Sequence, residues 1–360
     1  MALNSTLPVH HVLSGSFRSL SLFLLAFSPL QRSLELVQTV DAFGPHQYLA
    51  TSPRKDPATS SYITVPPPFT HAYSAGGPTG EVHALDRAAG ALGDKIQQLL
   101  FVPEDELEEA DKTRVALRYG SHGVEFSSAG YAFIPVLGTD SIEMYARDSS
   151  TGLLTHVASV PSPRGPDAHD GPRHVKIHPN GRILYCVTEH SNLVDAYQIT
   201  PTGLAHISSR SLLPPSSPLP RSSFRGDTLL LSPSTPTHPA PRALFATTRG
   251  AASSTHGWLS TFRLDADGLF VDDDPEYWET STSGGKANAL DVRRKDEGES
   301  EGVWILLTDD DDAAVGEGGG GVRVLEWDGW GTGGVRVVAG WPRPGDGEIM
   351  CGGSHAVWLD

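Results

Sequence analysis

Residues 171–181 read Gly171-Pro-Arg-His-Val-Lys-Ile-His-Pro-Asn-Gly181, and residues 120–130 read Gly120-Ser-His-Gly-Val-Glu-Phe-Ser-Ser-Ala-Gly130. The two stretches lie 51 residues apart and follow one pattern. Each is a strand-like run that ends in a glycine turn and continues as a second apolar strand. The Asn-Gly pair at 180–181 favours a type I′ hairpin turn, because both residues tolerate positive φ. A third and a fourth strand complete a unit of about 50 residues, which predicts one blade of a β-propeller.

Six places along the chain show an apolar strand, a short turn that usually contains glycine, and a returning strand. These turns run from Phe27 to Ser33, Leu85 to Gly90, Tyr145 to Gly152, Tyr197 to Gly203, Phe262 to Gly268 and Trp327 to Gly333. We therefore count about six blades and predict an all-β chain whose residues 1–360 form a single domain. The run Ser354–Asp360 would supply an inner strand to the sheet that begins near His10, so both ends of the chain would close the ring and remove exposed sheet edges.

Composition restricts the class of protein. The formal net charge of −16 argues against nucleic acid or an anionic membrane as the main partner. The only two cysteines, Cys186 and Cys351, make a disulfide framework or a cysteine metal site improbable, which indicates a cytoplasmic protein. The apolar run Leu20–Phe27 is too short to cross a bilayer and is interpreted as a strand. Asp309–Asp312 lacks the spaced ligands of a calcium loop, so no metal site is expected.

Four side chains are predicted to meet at one opening of the propeller channel. His122 and Arg173 begin adjacent inner strands at the same position, and Glu189 and Arg249 share another position at the end of their second strands. Equivalent positions of successive blades become neighbours around one axis. Arginine can hold carboxylates through two parallel hydrogen bonds and stays charged. Histidine can donate a proton near neutral pH.

The stretch 171–189 resembles the lactonase-type β-propeller superfamily, which includes 3-carboxy-cis,cis-muconate cyclases and bacterial 6-phosphogluconolactonases. The cyclase branch is the more similar over nearly the whole chain. The supporting segments are 121–126, 245–249, 282–289, 304–310 and 355–360. The resemblance implies seven blades, of which one is missing or truncated near residues 60–80, where Pro66-Pro-Pro leads almost directly to the Leu85 hairpin. Lys286 stands where the cyclases often have histidine.

The resemblance implies that His122, Arg173, Glu189 and Arg249 are catalytic, in a cofactor-independent intramolecular lyase. The substrate would be 3-carboxy-cis,cis-muconate, a small polycarboxylate of aromatic catabolism in the β-ketoadipate pathway. Arg173 and Arg249 would bind carboxylates while His122 donates the proton and Glu189 orients its neighbours. The reverse assignment of His122 and Glu189 stays open.

Four further residues are weaker candidates for substrate binding along the channel: Lys286, His355, His46 and Arg225. Two other functions remain open. The first is a lactone hydrolase of the 6-phosphogluconolactonase type, which would use the same cationic opening on a sugar phosphate. The second is a catalytically degenerate propeller that binds partners on its rim. A homo-oligomer is compatible with either.

Overall fold

The computed structural model describes residues 8–42, 48–51, 57–60, 62–86, 88, 91–101, 104, 120–236, 238–271, 275–295, 301–310, 320–343 and 352–359. Their regular structure is almost entirely β-strand, with a single-turn 3₁₀ helix at Arg221–Ser223. The prediction of an all-β chain is confirmed. No helix within these ranges has the length and apolarity needed to cross a membrane.

Most strands belong to six four-stranded antiparallel sheets, which we call blades 1 to 6 in chain order. Blade 1 contains β1 (His10–Ser14), β2 (Ser21–Ser28), β3 (Ser33–Asp41) and, as its innermost strand, β26 (Ala356–Trp358). A two-stranded sheet follows, made of β4 (Tyr48–Thr51) and β5 (Pro57–Ser60), and we call it the short sheet. Blade 2 contains β6 (Tyr62–Thr64), β7 (His71–Gly76), β8 (Thr79–Asp86) and β9 (Ala91–Leu100).

Blades 3 to 6 repeat the same order from the inner strand to the outer strand. Blade 3 contains β10 (Glu125–Phe126), β11 (Tyr131–Val136), β12 (Ser141–Arg147) and β13 (Leu154–Pro161). Blade 4 contains β14 (Pro172–Ile177), β15 (Ile183–Thr188), β16 (Leu193–Thr200) and β17 (Gly203–Ser211). Blade 5 contains β18 (Phe224–Leu231), β19 (Ala243–Gly250), β20 (Trp258–Arg263) and β21 (Glu276–Glu279). Blade 6 contains β22 (Leu290–Arg294), β23 (Val303–Asp309), β24 (Gly321–Trp327) and β25 (Val335–Trp341).

The six predicted turns all lie between the third and fourth strands of a blade, as the repeat requires. The turn at His178–Gly181 differs from its predicted type. Gly181 has a φ of 72°, but Asn180 is not among the residues with positive φ, and the Gly181 N–H donates to the His178 carbonyl at 2.8 Å. The type I′ prediction was therefore wrong, because only the glycine of the pair adopts the left-handed conformation that such a turn needs twice.

Inner strands of neighbouring sheets contact each other around a common hub. The contacting pairs are β10 with β14, β14 with β18, β18 with β22, β22 with β26, β26 with β4, and β4 with β6. Between blades, apolar side chains from the facing sheets pack together. Phe245 of blade 5 packs edge-on against Trp327 of blade 6, with ring centroids 5.3 Å apart. Phe27 of blade 1 packs edge-on against Trp304 of blade 6, with ring centroids 5.2 Å apart. Burying one such side chain stabilises the ring by about 1.5–3 kcal/mol.

The short sheet takes a place of its own in the ring, between blade 1 and blade 2. Leu49 packs with Leu13 and Val357 of blade 1, and β4 and β5 both contact β6 of blade 2. The predicted count of about six blades is confirmed. The short sheet at residues 48–60 takes the place of the truncated blade, and it lies directly before residues 60–80, where the truncation was predicted. Residues 62–100 form the complete blade 2, because Pro66–Pro68 is only the connection from β6 to β7.

The ring closes through both ends of the described chain, as predicted. Strand β26 pairs antiparallel with β1, with Val12 opposite Trp358 and Ser14 opposite Ala356. Blade 1 therefore combines β1, β2 and β3 with β26, so the inner edge of β1 is covered.

Candidate active site at the channel mouth

The strand registers bring the four predicted residues to one end of the channel, which we call the mouth. His122 directly follows Ser121, which bridges to the end of β11, and Arg173 directly follows Pro172, which pairs with the end of β15. Glu189 comes immediately after β15, and Arg249 takes the corresponding place near the end of β19. Blades 3, 4 and 5 are consecutive in the ring, so these positions adjoin.

Glu189 lies between the two arginines. Its Oε2 accepts from Arg173 Nε at 2.9 Å, and its Oε1 accepts from Arg249 Nη2 at 3.3 Å. Burial alone would raise the pKa of Glu189, but the charges of Arg249 and then Arg173 outweigh it and hold this pKa at about 2. Glu189 is therefore ionised at neutral pH and carries no proton to donate.

A second carboxylate, Asp227, completes the cluster and was missed by the sequence analysis. Its Oδ1 lies 2.5 Å from Arg173 Nη1 and 3.7 Å from Arg249 Nε, and the side chain is 1% exposed. Its Oδ2 accepts the Asn288 backbone N–H at 2.6 Å. Asp227 thus holds Arg173 in a close ion pair and lies near Arg249, while Glu189 accepts a hydrogen bond from each arginine.

Gly226 explains why Asp227 reaches this place. A Cβ at Gly226 would lie 2.2 Å from the Thr188 carbonyl oxygen, so only glycine lets β18 approach the end of β15 so closely. The Gly226 N–H donates to the Glu189 carbonyl at 2.9 Å. The Gly226-Asp227 pair follows the same pattern as Pro172-Arg173 in blade 4, and this correspondence was the available clue in the sequence.

His122 is 7% exposed. A positive charge on its imidazole contributes to lowering the pKa values of Glu189 and His174, so His122 lies near both of these groups. Lys286 adjoins the cluster on the other side, next to Gly285, whose carbonyl accepts from Arg249 Nη1 at 3.4 Å. His122 of blade 3 and the backbone of segment 285–286, which precedes blade 6, therefore lie on the two sides of the blades that carry Arg173 and Arg249.

The remaining sequence candidates lie elsewhere. Arg225 donates from Nη1 to the carbonyls of Ser222 and Phe224, at 3.1 and 2.9 Å, and so folds back on its own loop. His46 lies outside the described residues. His355 is in the channel, but its Nδ1 accepts the Leu49 N–H at 3.3 Å, away from the arginines.

Further along the channel, a second polar level is formed by Glu125, Lys176 and Tyr62. Tyr62 Oη donates to Glu125 Oε1 at 2.5 Å, Lys176 forms an ion pair with the same carboxylate, and Lys176 Nζ donates to Tyr62 Oη at 3.2 Å. Glu125 and Lys176 come three residues after His122 and Arg173, which places this level about 10 Å below the mouth. We call it the inner level.

Aromatic side chains surround the inner level. The ring of Tyr48, in the short sheet, stacks on the rings of Tyr62 and His355, with centroids 4.3 and 3.9 Å apart. The ring centroids of His174 and Tyr62 are 5.5 Å apart. Burial, with a contribution from Lys176, lowers the pKa of His355 to about 3. Burial and then Arg173 lower the pKa of His174 well below its usual value. Both imidazoles are therefore neutral at pH 7.

Comparison with known proteins agrees with this architecture. The sequence model of the family described as "Lactonase, 7-bladed beta-propeller" matches residues 39–269. Muconate cycloisomerase 1 of Cutaneotrichosporon cutaneum is 29% identical over 340 residues, which covers 83% of this chain and 87% of that protein. A 6-phosphogluconolactonase of Erwinia tasmaniensis is 28% identical over 204 residues, covering 51% of this chain and 59% of that protein.

Solved structures share the fold at low sequence identity. A periplasmic gluconolactonase of Pseudomonas aeruginosa superposes with a TM-score of 0.70 at 18% identity, covering 98% of this chain and 99% of that one. A structure titled as a putative 6-phosphogluconolactonase of Bacteroides fragilis gives 0.67 at 15% identity, with complete coverage of both chains. The fold and the family match together define a lactonase-type propeller. The chain belongs to the seven-bladed β-propeller lactonase family, and it builds the ring from six full blades and the short sheet.

Proposed function

We propose that the protein is a cofactor-independent cycloisomerase that closes 3-carboxy-cis,cis-muconate to its lactone. The observation that carries this proposal is the pair of buried guanidinium groups of Arg173 and Arg249, held by Glu189 and Asp227 at the channel mouth. The similarity to muconate cycloisomerase 1 over most of both chains supports the same substrate class.

In this proposal the arginines hold the substrate carboxylates. Arg173 donates from Nε to Glu189 and pairs through Nη1 with Asp227. Its Nη2 is therefore the nitrogen that would donate to a substrate carboxylate. One substrate carboxylate oxygen then adds to a carbon of the conjugated double bond within the same molecule. Holding the two reacting groups in contact can lower the barrier by about 7–11 kcal/mol.

The addition forms a C–O bond and moves the π electrons onto the neighbouring carbon, which then takes up a proton. His122 is the proposed donor, because Glu189 is ionised and His122 lies at its side. The proton returns to His122 from solvent, so the overall reaction is an isomerisation in which no atom is lost. Glu189 keeps the two arginines in place.

The test follows the loss of the ultraviolet absorbance of the conjugated diene in purified protein. We expect His122→Asn to lower kcat by at least about 100-fold, as removal of a general acid does. His190→Asn is the matched control, because His190 also adds its charge near Glu189 but is exposed, and we expect less than about a threefold change. Unchanged absorbance with the wild-type protein would overturn the cyclisation proposal.

Hydrolysis of a sugar-phosphate lactone is the second candidate, favoured by the lactonase family match and by the 6-phosphogluconolactonase relatives. The same arginines would then bind the phosphate. Acid release from 6-phosphogluconolactone in a pH-stat, without loss of muconate absorbance, would select this reaction over cyclisation.

A further inference from the structure

Another arginine is held at the mouth by a buried carboxylate. Arg18 lies on the loop between β1 and β2, and its Nη1 and Nη2 contact Asp310 Oδ1 and Oδ2 at 2.7 and 3.0 Å. The Asp310 side chain is 0% exposed, whereas that of Arg18 is 31% exposed. The Nη2–Oδ2 contact is a charge-assisted hydrogen bond, and the Nη1–Oδ1 contact is an ion pair without hydrogen-bond geometry. Arg18 is therefore oriented by the protein but still reachable by solvent.

Asp310 connects Arg18 to the candidate active site. The Asp310 N–H donates to the Gly284 carbonyl at 3.0 Å, and Asp310 Oδ2 accepts the Lys286 N–H at 3.2 Å. Between them, the Gly285 carbonyl accepts from Arg249 Nη1 at 3.4 Å. The segment 284–286 thus touches Arg249 on one side and the Arg18–Asp310 pair on the other.

The mouth has a local excess of positive charge in an acidic protein. Among the described residues, the charged groups linked here are the cations Arg18, Arg173, Arg249 and Lys286 and the carboxylates Glu189, Asp227 and Asp310. Four cations against three carboxylates leave one positive charge, while the whole chain carries −16. A cationic pocket of this kind attracts an anion that the rest of the surface repels.

We propose that Arg18 is a specificity-determining residue that binds a third carboxylate of the substrate, beyond the two that Arg173 and Arg249 hold. The inference rests on the proposed function and deepens it, since Arg18 would favour a tricarboxylate over a dicarboxylate of the same length. Arg18 does not contact the reacting atoms in this assignment, so its effect is expected in KM and not in kcat.

The experiment compares 3-carboxy-cis,cis-muconate with cis,cis-muconate, which lacks the additional carboxylate. Arg18→Met should lower kcat/KM for the tricarboxylate about 10- to 100-fold, chiefly through KM, and should leave the dicarboxylate within about threefold. Equal losses with both substrates, or no loss with either, would overturn the assignment.

The chain offers a matched control in Arg32. This arginine also belongs to blade 1 and also pairs with a carboxylate of blade 6, Glu326 at 3.1 Å, but its side chain is 53% exposed. Within the described part of the chain, no contact joins it to the arginines and carboxylates of the mouth. Arg32→Met should leave both substrates unchanged. An equal loss of selectivity in Arg32→Met would show that any break between blades 1 and 6 has this effect, and would refute the role of Arg18.

Arg18→Met also leaves Asp310 buried without this partner, so folding needs its own check. The double variant Arg18→Met/Asp310→Asn removes that charge and should fold with the same loss of selectivity.

Calorimetry distinguishes failure of the Arg18 assignment from failure of the proposed function. If the wild-type protein turns over neither muconate, propane-1,2,3-tricarboxylate should still bind at least about tenfold more tightly than glutarate, and only in the presence of Arg18. Equal binding of the two probes would overturn the assignment.

Discussion

The mouth and the inner level of the channel share strand β14 but differ in charge. At the mouth, Arg173 is shared between two carboxylates beside a second arginine, and cations are in excess. Three residues further along the same strand, Lys176 is matched by Glu125 and surrounded by tyrosines and neutral histidines. The repeat therefore dictates where polar side chains can lie, but the choice of arginine or lysine decides which level attracts an anion.

The largest expected effect comes from exchanging the two cation types between the levels. Arg173→Lys keeps the charge but loses the planar fork that reaches both Glu189 and Asp227, so kcat/KM should fall by about 10²- to 10³-fold. Lys176→Arg, the reciprocal change at the inner level, should alter kcat/KM by less than about threefold. Both are measured with the ultraviolet assay. Similar losses for the two variants would abolish the functional distinction between the levels.

The next effect concerns stability at acidic pH. The pKa of Glu189 in the folded protein is about 2, below its ordinary value of 4.5. Glu189 therefore contributes stability that is fully present above pH 4.5 and is lost as the pH falls towards 2. The full contribution is about 3 kcal/mol.

Urea unfolding between pH 6 and about pH 3 measures this contribution. The free energy of unfolding of the wild-type protein should fall more steeply than that of Glu189→Gln, in which the titrating group is absent. Parallel curves for the two proteins would mean that the arginines do not hold the Glu189 carboxylate as described.

The smallest effect is expected at the inner level. Lys176→Met leaves Glu125 without its cation in a partly buried place and should lower the free energy of unfolding by about 1–2 kcal/mol. Adding Glu125→Gln should recover much of that loss, because the unpaired charge is then gone. Turnover should stay within about threefold throughout. A large loss of turnover in the double variant would place the inner level in the substrate site.

The sequence analysis predicted features that depend on local pattern. The turns after Phe27 and Tyr197 follow from an apolar run and a nearby turn, and the equivalent strand positions of His122 and Arg173 follow from the 51-residue offset. The same offset relates Glu125 to Lys176, so the inner level was also accessible to this reasoning.

Other features depend on contacts that no local pattern shows. Asp227 reaches the arginines because β18 is irregular between Gly226 and Leu229 and approaches β15 at the glycine. Arg225, the predicted residue two positions earlier, carries a positive charge but donates to the carbonyls of Ser222 and Phe224 and does not reach the cluster. The short sheet was also invisible, because Tyr48 is held by ring stacking with His355 and Tyr62, which are distant in sequence.

The pairing of β26 with β1 has a consequence for the order of events during biosynthesis. Ser14 meets the His355 carbonyl across 341 residues of chain, so on the ribosome the sheet of blade 1 stays incomplete until blades 2 to 6 have emerged. Blade 1 must wait with an open edge while the intervening blades are translated. Strand β26 can therefore complete blade 1 only after the strands of blades 2 to 6 have been synthesised.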